Sequence, residues 1–133
     1  MSIDPATVGP NDSLQRVVEL LRRRDIRSVP VLEADKLIGI VTDRDLRQVA
    51  PGYPLLRDEE EIHRYRERLT VAAAMTADPM TIAPGASLVA AAKILETYRI
   101  SSLPVVDGHR LVGILTVTDL LRVFVEQNED IAA

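Results

Sequence analysis

The chain has 133 residues, 47% hydrophobic and 27% charged, with a formal net charge of -4 and no cysteine. This length suits one compact domain or two half-domains sharing a core, and the charge offers no electrostatic footprint for duplex DNA or an anionic membrane surface. A disulfide framework, a thiolate metal site and a thiol nucleophile are all excluded, and no stretch approaches the roughly 20 apolar residues of a membrane span.

In chain order, Met1 to Pro10 lacks a basic segment followed by an apolar run, so no secretion signal is read and a cytoplasmic location is expected. Thr7-Val8 is a short strand. Ser13 is a good N-cap, and Leu14, Val17, Val18 and Leu21 recur at helical spacing until about Arg24-Asp25. The triplet Arg22-Arg23-Arg24 reads as a solvated helix face. A β-branched run follows at Val29-Pro30-Val31-Leu32, where the proline marks an edge or a strand start. Glu33-Ala34-Asp35-Lys36 is a turn, Leu37 to Val41 a second strand, and Asp43 to about Val49 a helix.

Residues 50–70 differ in character. Pro51-Gly52-Tyr53-Pro54 is loop chemistry, and Asp58 can cap a charged helix carrying Ile62, Tyr65 and Leu69 as a narrow apolar stripe. A connecting helix packed on the outside is expected.

From Val71 the chain is written again. Moving residue n to n + 74 lays Thr7-Val8-Gly9-Pro10 on Thr81-Ile82-Ala83-Pro84, Ser13-Leu14 on Ser87-Leu88, and Ser28-Val29-Pro30-Val31 on Ser102-Leu103-Pro104-Val105. The match continues without a gap through Leu37 to Thr42 on Leu111 to Thr116, and ends with Asp45-Leu46 on Asp119-Leu120. The second helix has Leu88, Ala91, Ala92 and Leu95 on its apolar side, ending near Tyr98-Arg99. Asp107-Gly108 strengthens the second hairpin signal, and the last helix is expected from Val117 to about Gln127. Each copy is thus β-α-β-β-α, and the fold class is α+β. A unit this short does not bury its own apolar face, so the two copies are expected to pack by pseudo-two-fold symmetry into one module and to create a cleft. The divisions are 1–49 for the first repeat, 50–70 for the connection, 71–127 for the second repeat and 128–133 for a frayed tail. The same shift puts Met75-Thr76-Ala77-Asp78-Pro79 on Met1-Ser2-Ile3-Asp4-Pro5, so the first repeat reads as truncated within its lead-in.

Few polar residues recur in both copies: Thr7/Thr81, Ser13/Ser87, Ser28/Ser102, Thr42/Thr116 and Asp45/Asp119. Ser13 and Ser87 are helix caps. The others fall at strand ends, where open sheets commonly bind ligands. Thr42-x-x-Asp45 and Thr116-x-x-Asp119 have two readings. They fit a capping box, although that box favours Glu or Gln over the shorter Asp; they also fit a nucleotide site, with hydroxyl and free N–H groups for phosphate and a carboxylate for two ribose hydroxyls. Gly39 and Gly113 are either small packing residues or points of close approach to the backbone. Arg44 is an exposed first-turn residue or a cation for polyphosphate. His63 and His109 are too isolated for a metal site, and Met1, Met75 and Met80 read as packing residues.

These residues resemble the CBS domain pair, or Bateman module. The resemblance lies in the apolar-Ser-apolar-Pro-Val strand, the Gly-Ile-Val-Thr or Gly-Ile-Leu-Thr strand, the Asp three residues beyond that Thr, and Met75-Thr76…Asp78-Pro79 as the introduction to a second copy. The run Val41 to Leu46 followed by an insert is similar to small bacterial stand-alone members, including the acetoin-utilisation type. The resemblance implies a regulatory module, not an enzyme, with an adenosine-containing ligand (AMP, ADP, ATP or S-adenosylmethionine) between the repeats. In that reading Asp45 and Asp119 take ribose hydroxyls. Thr42 and Thr116 take phosphate or ribose oxygens, joined by Thr7, Thr81, Arg44 and Thr118. The backbone at Ser28-Val29-Pro30 and Ser102-Leu103-Pro104 meets adenine among Val8, Ile40, Ile82 and Ile114. It also implies a homodimer, energy sensing, a downstream effector protein, no resident cofactor, and Mg²⁺ only as a companion of the nucleotide. The competing reading is a structural dimerisation module whose Thr-x-x-Asp motifs only cap helices.

Overall fold

The caps, apolar spacings and turns resolve into the run β-α-β-β-α twice, with two further helices between the copies. They are β1 (Ser2–Ile3), α1 (Leu14–Arg24), β2 (Ser28–Glu33), β3 (Lys36–Thr42), α2 (Asp43–Val49), α3 (Glu59–Arg68), α4 (Val71–Ala74), β4 (Thr76–Ala77), α5 (Leu88–Tyr98), β5 (Ser102–Asp107), β6 (Arg110–Thr116) and α6 (Val117–Ala132). The computed structural model describes residues 1–49 and 59–132; the expected loop at Pro51-Gly52-Tyr53-Pro54 and the cap at Asp58 lie outside the described residues. Two compact units divide the chain: Ala6–Pro79, and Met1–Pro5 together with Met80–Ala133.

The unit Ala6–Pro79 is a three-stranded antiparallel sheet with β3 between β2 and β4, backed by helices. Ser13 caps α1, its Oγ accepting from the Arg16 N–H at 3.4 Å, and Asp25 closes the helix in the left-handed region at φ 50°. β2 is an edge strand apart from a one-residue parallel bridge to Val8, so Pro30 sits inside it with little loss of sheet bonding. The core is Val8, Leu14, Val17, Val18, Val29, Val31, Val41, Leu46 and Val71.

α3 and α4 cover α1. Leu69 packs on the core, while Ile62 and Tyr65 are half-buried, as their narrow stripe leads one to expect. The segment between these helices is stitched to the start of α1 by backbone bonds. Leu14 N–H donates to the Leu69 carbonyl at 2.9 Å, Val71 N–H to that of Asp12 at 2.8 Å, and Ala72 N–H to that of Pro10 at 2.9 Å. On α3, burial and the Arg22 guanidinium hold Arg66 below the usual guanidinium range.

The other unit repeats the plan with β6 between β5 and β1. Ser87 Oγ accepts from the Ala90 N–H at 3.0 Å, and Arg99 ends α5 at φ 53°. Its core is smaller: Ile82, Ala91, Leu95, Leu103, Val105 and Leu115. α5 and α6 pack on each other. α6 runs to Ala132, past the expected end near Gln127, so residues 128–132 of the expected tail continue the helix.

The opening strands expected at Thr7-Val8 and Thr81-Ile82 are only single bridges, Val8 to Val31 and Ile82 to Val105; the two-residue strands β1 and β4, which were not among the expected elements, open the repeats instead. Each opens one repeat but joins the unit built from the other: β4 pairs with β3 (Thr76 opposite Ile40), and β1 pairs with β6 (Ser2 opposite Ile114). Asp4 and Asp78 end them in the left-handed region at φ 53° and 48°, each ahead of a proline. Asp tolerates that region better than most residues, and proline stops further sheet bonding. Met1 to Pro5 is therefore placed as Met75 to Pro79 is.

Candidate functional site

Within Ala6–Pro79, the first expected set falls on the paired ends of β2 and β3, on Thr7-Val8 beside β2, and on the first turn of α2, which carries Arg44 and Asp45. Ser28 lies opposite Thr42, Val29 opposite Val41 and Pro30 opposite Ile40. Val8 N–H donates to the Pro30 carbonyl at 3.1 Å, and the Val8 carbonyl accepts from Leu32 N–H at 2.9 Å, which brings Thr7 and Val8 beside β2. The second set repeats this register: Ser102 opposite Thr116, Leu103 opposite Leu115, Pro104 opposite Ile114, with Ile82 N–H donating to the Pro104 carbonyl at 3.1 Å beside Thr81. Val8 and Ile40 thus belong to one unit, Ile82 and Ile114 to the other. Ser28, Pro30 and Ile40, like Ser102, Pro104 and Ile114, are buried, whereas Arg44 and Thr118 are exposed.

Both Thr-x-x-Asp motifs are closed capping boxes. Asp45 Oδ2 accepts from Thr42 N–H at 2.9 Å while Thr42 Oγ1 accepts from Asp45 N–H at 3.1 Å; the corresponding distances for Thr116 and Asp119 are 2.8 and 3.1 Å. The shorter Asp therefore closes the box that favours Glu. The helix starts are also pinned from outside, since Asp43 N–H donates to Arg27 O at 2.9 Å and Val117 N–H to Ser101 O at 3.0 Å.

Capping engages only one oxygen of each carboxylate. Asp45 Oδ1 accepts a long bond from Thr76 Oγ1, 3.4 Å, and Asp119 Oδ1 lies 3.5 Å from Arg122 and 3.8 Å from the Met1 amine. An acceptor oxygen with weak, displaceable partners is what a ribose hydroxyl requires. Arg44 has no partner among the described residues, while Asp43 is loosely paired with Arg47 at 4.0 Å. Thr76, Met75, Met1 and Arg122 border these groups and were not among the expected site residues.

The glycines now have a cause. A Cβ on Gly39 would lie 2.6 Å from Met75 Sδ and 3.0 Å from the Thr76 carbonyl oxygen; on Gly113 it would lie 2.8 Å from the Ser2 carbonyl oxygen and 3.0 Å from Met1 Sδ. What approaches each glycine is the opening strand of the other repeat. Among the described residues, no group of three or more His, Cys, Asp or Glu side chains could hold a metal ion, and no helix is long and apolar enough to cross a membrane.

The CBS domain model matches residues 1–52 and 71–126. The chain belongs to the CBS domain family. Among its relatives, the CBS domain-containing protein YhcV of Bacillus subtilis is 33% identical over 122 residues, covering 90% of this chain and 79% of that protein. Inosine-5'-monophosphate dehydrogenase of Korarchaeum cryptofilum is 35% identical over 118 residues; 88% of this chain is covered, yet it spans only 22% of that enzyme's length. Solved CBS structures match the fold throughout. AcuB of Vibrio cholerae superposes with a TM-score of 0.79 at 30% identity, covering 97% of this chain and 89% of its own. CBSX2, solved with AMP, gives 0.79 at 26% identity, covering 96% and 94% of the two chains. The CBS domain pair of protein MJ0100, solved with 5'-methylthioadenosine and S-adenosyl-L-methionine, gives 0.78 at 26% identity, covering 96% and 93%.

Proposed function

We propose that this CBS chain is a cytoplasmic regulatory module, without catalytic activity of its own, that binds an adenosine-containing nucleotide at its two strand-end sites. The Oδ1 atoms of Asp45 and Asp119 carry this reading, because each carboxylate is fixed by its capping bond through Oδ2 while Oδ1 keeps only long contacts, at 3.4 Å or more. The AMP complex of CBSX2 and the methylthioadenosine and S-adenosylmethionine complex of the MJ0100 pair support the ligand class. Occupancy changes conformation or association only so far as ligand binds the alternative arrangements unequally, and that difference would be the signal passed to an effector protein. Arg44, against Thr118 at the matched position, favours the more highly phosphorylated ligand at the first site, with Mg²⁺ accompanying the phosphates.

Thermal unfolding with AMP, ADP, ATP, S-adenosylmethionine and methylthioadenosine tests the proposal. A ligand at 100 times its Kd adds about 2.7 kcal/mol of apparent stability. If none of the five shifts the transition, the closed capping boxes favour the second reading, a structural module in which Thr42, Asp45, Thr116 and Asp119 serve only the helices.

Homodimerisation is part of the proposal. On α6, Val117, Leu121, Phe124 and Val125 are 38%, 59%, 64% and 55% exposed at i, i+4, i+7, i+8 spacing, a stripe facing away from the core. Arg122 stands one turn before Glu126 and two before Glu129, so an antiparallel second copy crossing near Phe124 would bring Arg122 of each helix toward Glu126 of the other. Sedimentation should show a dimer, and Phe124→Glu should give a folded monomer; an unchanged mass for this variant would remove α6 from the interface.

A further inference from the structure

Two arginines on packed helices face each other with no acid paired to either. α1 and α3 lie against each other antiparallel, the end of α3 being tied to the start of α1 by the Leu14 N–H and the Leu69 carbonyl at 2.9 Å. Side chains on a helix lean toward its N-terminus, so Arg66 late in α3 and Arg22 late in α1 reach toward one another. Arg66 is half-buried and its Nε is closed off from solvent without a hydrogen-bond acceptor, while Arg22 is exposed. Burial first, and then the Arg22 charge, disfavour the protonated form of Arg66. Neither arginine has an ion-pair partner among the described residues. The acids around them are engaged by other cations: Glu60 by Arg64 at 3.6 Å, Glu67 by His63 at 3.4 Å and Asp12 by Arg16 at 3.7 Å. Helix chemistry does not require the juxtaposition. Arg23 and Arg24 already serve the last-turn carbonyls of α1, and the residue matched to Arg22 in the second copy is Glu96, which at position 22 would neutralise Arg66. The first copy sets a second guanidinium there instead.

We propose that Arg22 and Arg66 form a binding site for a phosphate dianion, inorganic or carried by a small phosphomonoester, outside the strand-end sites. Two guanidinium groups bring two positive charges, which a dianion balances and a single carboxylate does not. The Arg66 Nε edge offers one fork of parallel N–H donors, and it is the orphaned donor of that edge that an oxyanion would satisfy. Arg22 offers the second fork, its exposed side chain turning to meet the remaining oxygens. The bound anion would clamp the end of α1 to α3, converting a repulsive contact between the two helices into an attractive one.

The test uses the full ¹⁵N-labelled chain without nucleotide, titrated with inorganic phosphate and, separately, with glycerol 3-phosphate. The titrations are run at about pH 8, above the second phosphate pKa of roughly 6–7, with ionic strength held constant by chloride. A saturable shift of the Arg66 Nε–Hε resonance is expected, and the probe that saturates it at the lower concentration identifies the source of the phosphate. Arg22→Gln, at an exposed position, should weaken the response roughly tenfold or more. Arg23→Gln makes the same change of net charge one residue along the helix, and it should leave the affinity within about twofold. The proposal is overturned if neither probe moves the Arg66 resonance, if chloride alone moves it equally, or if Arg23→Gln weakens the response as much as Arg22→Gln. Neither probe contains adenosine, so a silent Arg66 leaves the nucleotide reading of the strand-end sites standing, and failure of that reading leaves this site standing.

Discussion

Leu14→Ala is expected to destabilise the protein by about 2–5 kcal/mol, whereas Leu88→Ala at the matched position should cost below about 1 kcal/mol. The two leucines occupy the same place in the repeat and the same first turn of a serine-capped helix. Local propensity and capping therefore cancel from the comparison. What differs is burial: Leu14 lies in the core beneath Leu69 and Val71, and truncating it leaves a cavity, while nothing among the described residues closes over Leu88. Urea unfolding of the two variants, followed by helical circular dichroism, measures the difference; each kcal/mol shifts the midpoint in proportion to the unfolding slope. Equal losses would mean that α3 and α4 do not cover α1 in solution. A substantial loss for Leu88→Ala alone would mean that a cover exists over α5 as well.

The contrast shows what a repeat in sequence can and cannot convey. The capped amphipathic helices, the hairpins and their turns were legible because each is specified by residues within about a dozen positions, and the unbroken shift from residue n to n + 74 registered the copies. β1 and β4 were not legible. Two residues carry no period, and their partners Gly113 and Gly39 are distant along the chain. The glycines did carry the signal, since each must lack a Cβ for the crossing strand to fit, but nothing local said what would cross. Likewise the covering of α1 was not legible, because residues 69–72, which lead into the second repeat, bond to residues 10–14 of the first. At the site, the spacing of Thr and Asp announced both a cap and a carboxylate. The structure adds the division of labour between two oxygens of one side chain, together with the Thr76 and Arg122 neighbours that approach from β4 and from the next turn of α6.

That division makes Asp45→Asn and Asp119→Asn more informative than alanine. Alanine removes cap and ligand acceptor together, so a loss of about 1 kcal/mol is expected from the cap alone and says nothing about a nucleotide. Asparagine keeps a carbonyl oxygen able to accept from Thr42 or Thr116 N–H, so the reciprocal bond of the capping box is retained. Its NH2 group then stands where Oδ1 stood, and that nitrogen donates but does not accept, so two ribose hydroxyls lose their shared acceptor. The unliganded Asn variants should therefore lie within about 1 kcal/mol of the parent, the remaining loss coming from the missing charge at the helix start. The ligand-induced gain, about 2.7 kcal/mol at 100 times Kd, should fall, and calorimetry should count one site where the parent has two. The two variants should not behave identically. Asp119 Oδ1 must release Arg122 to take a ribose, while Asp45 Oδ1 must release only the Thr76 hydroxyl, so Asp45→Asn should remove the tighter site. Full ligand-induced stabilisation in either Asn variant would show that the carboxylate serves its helix and not a nucleotide.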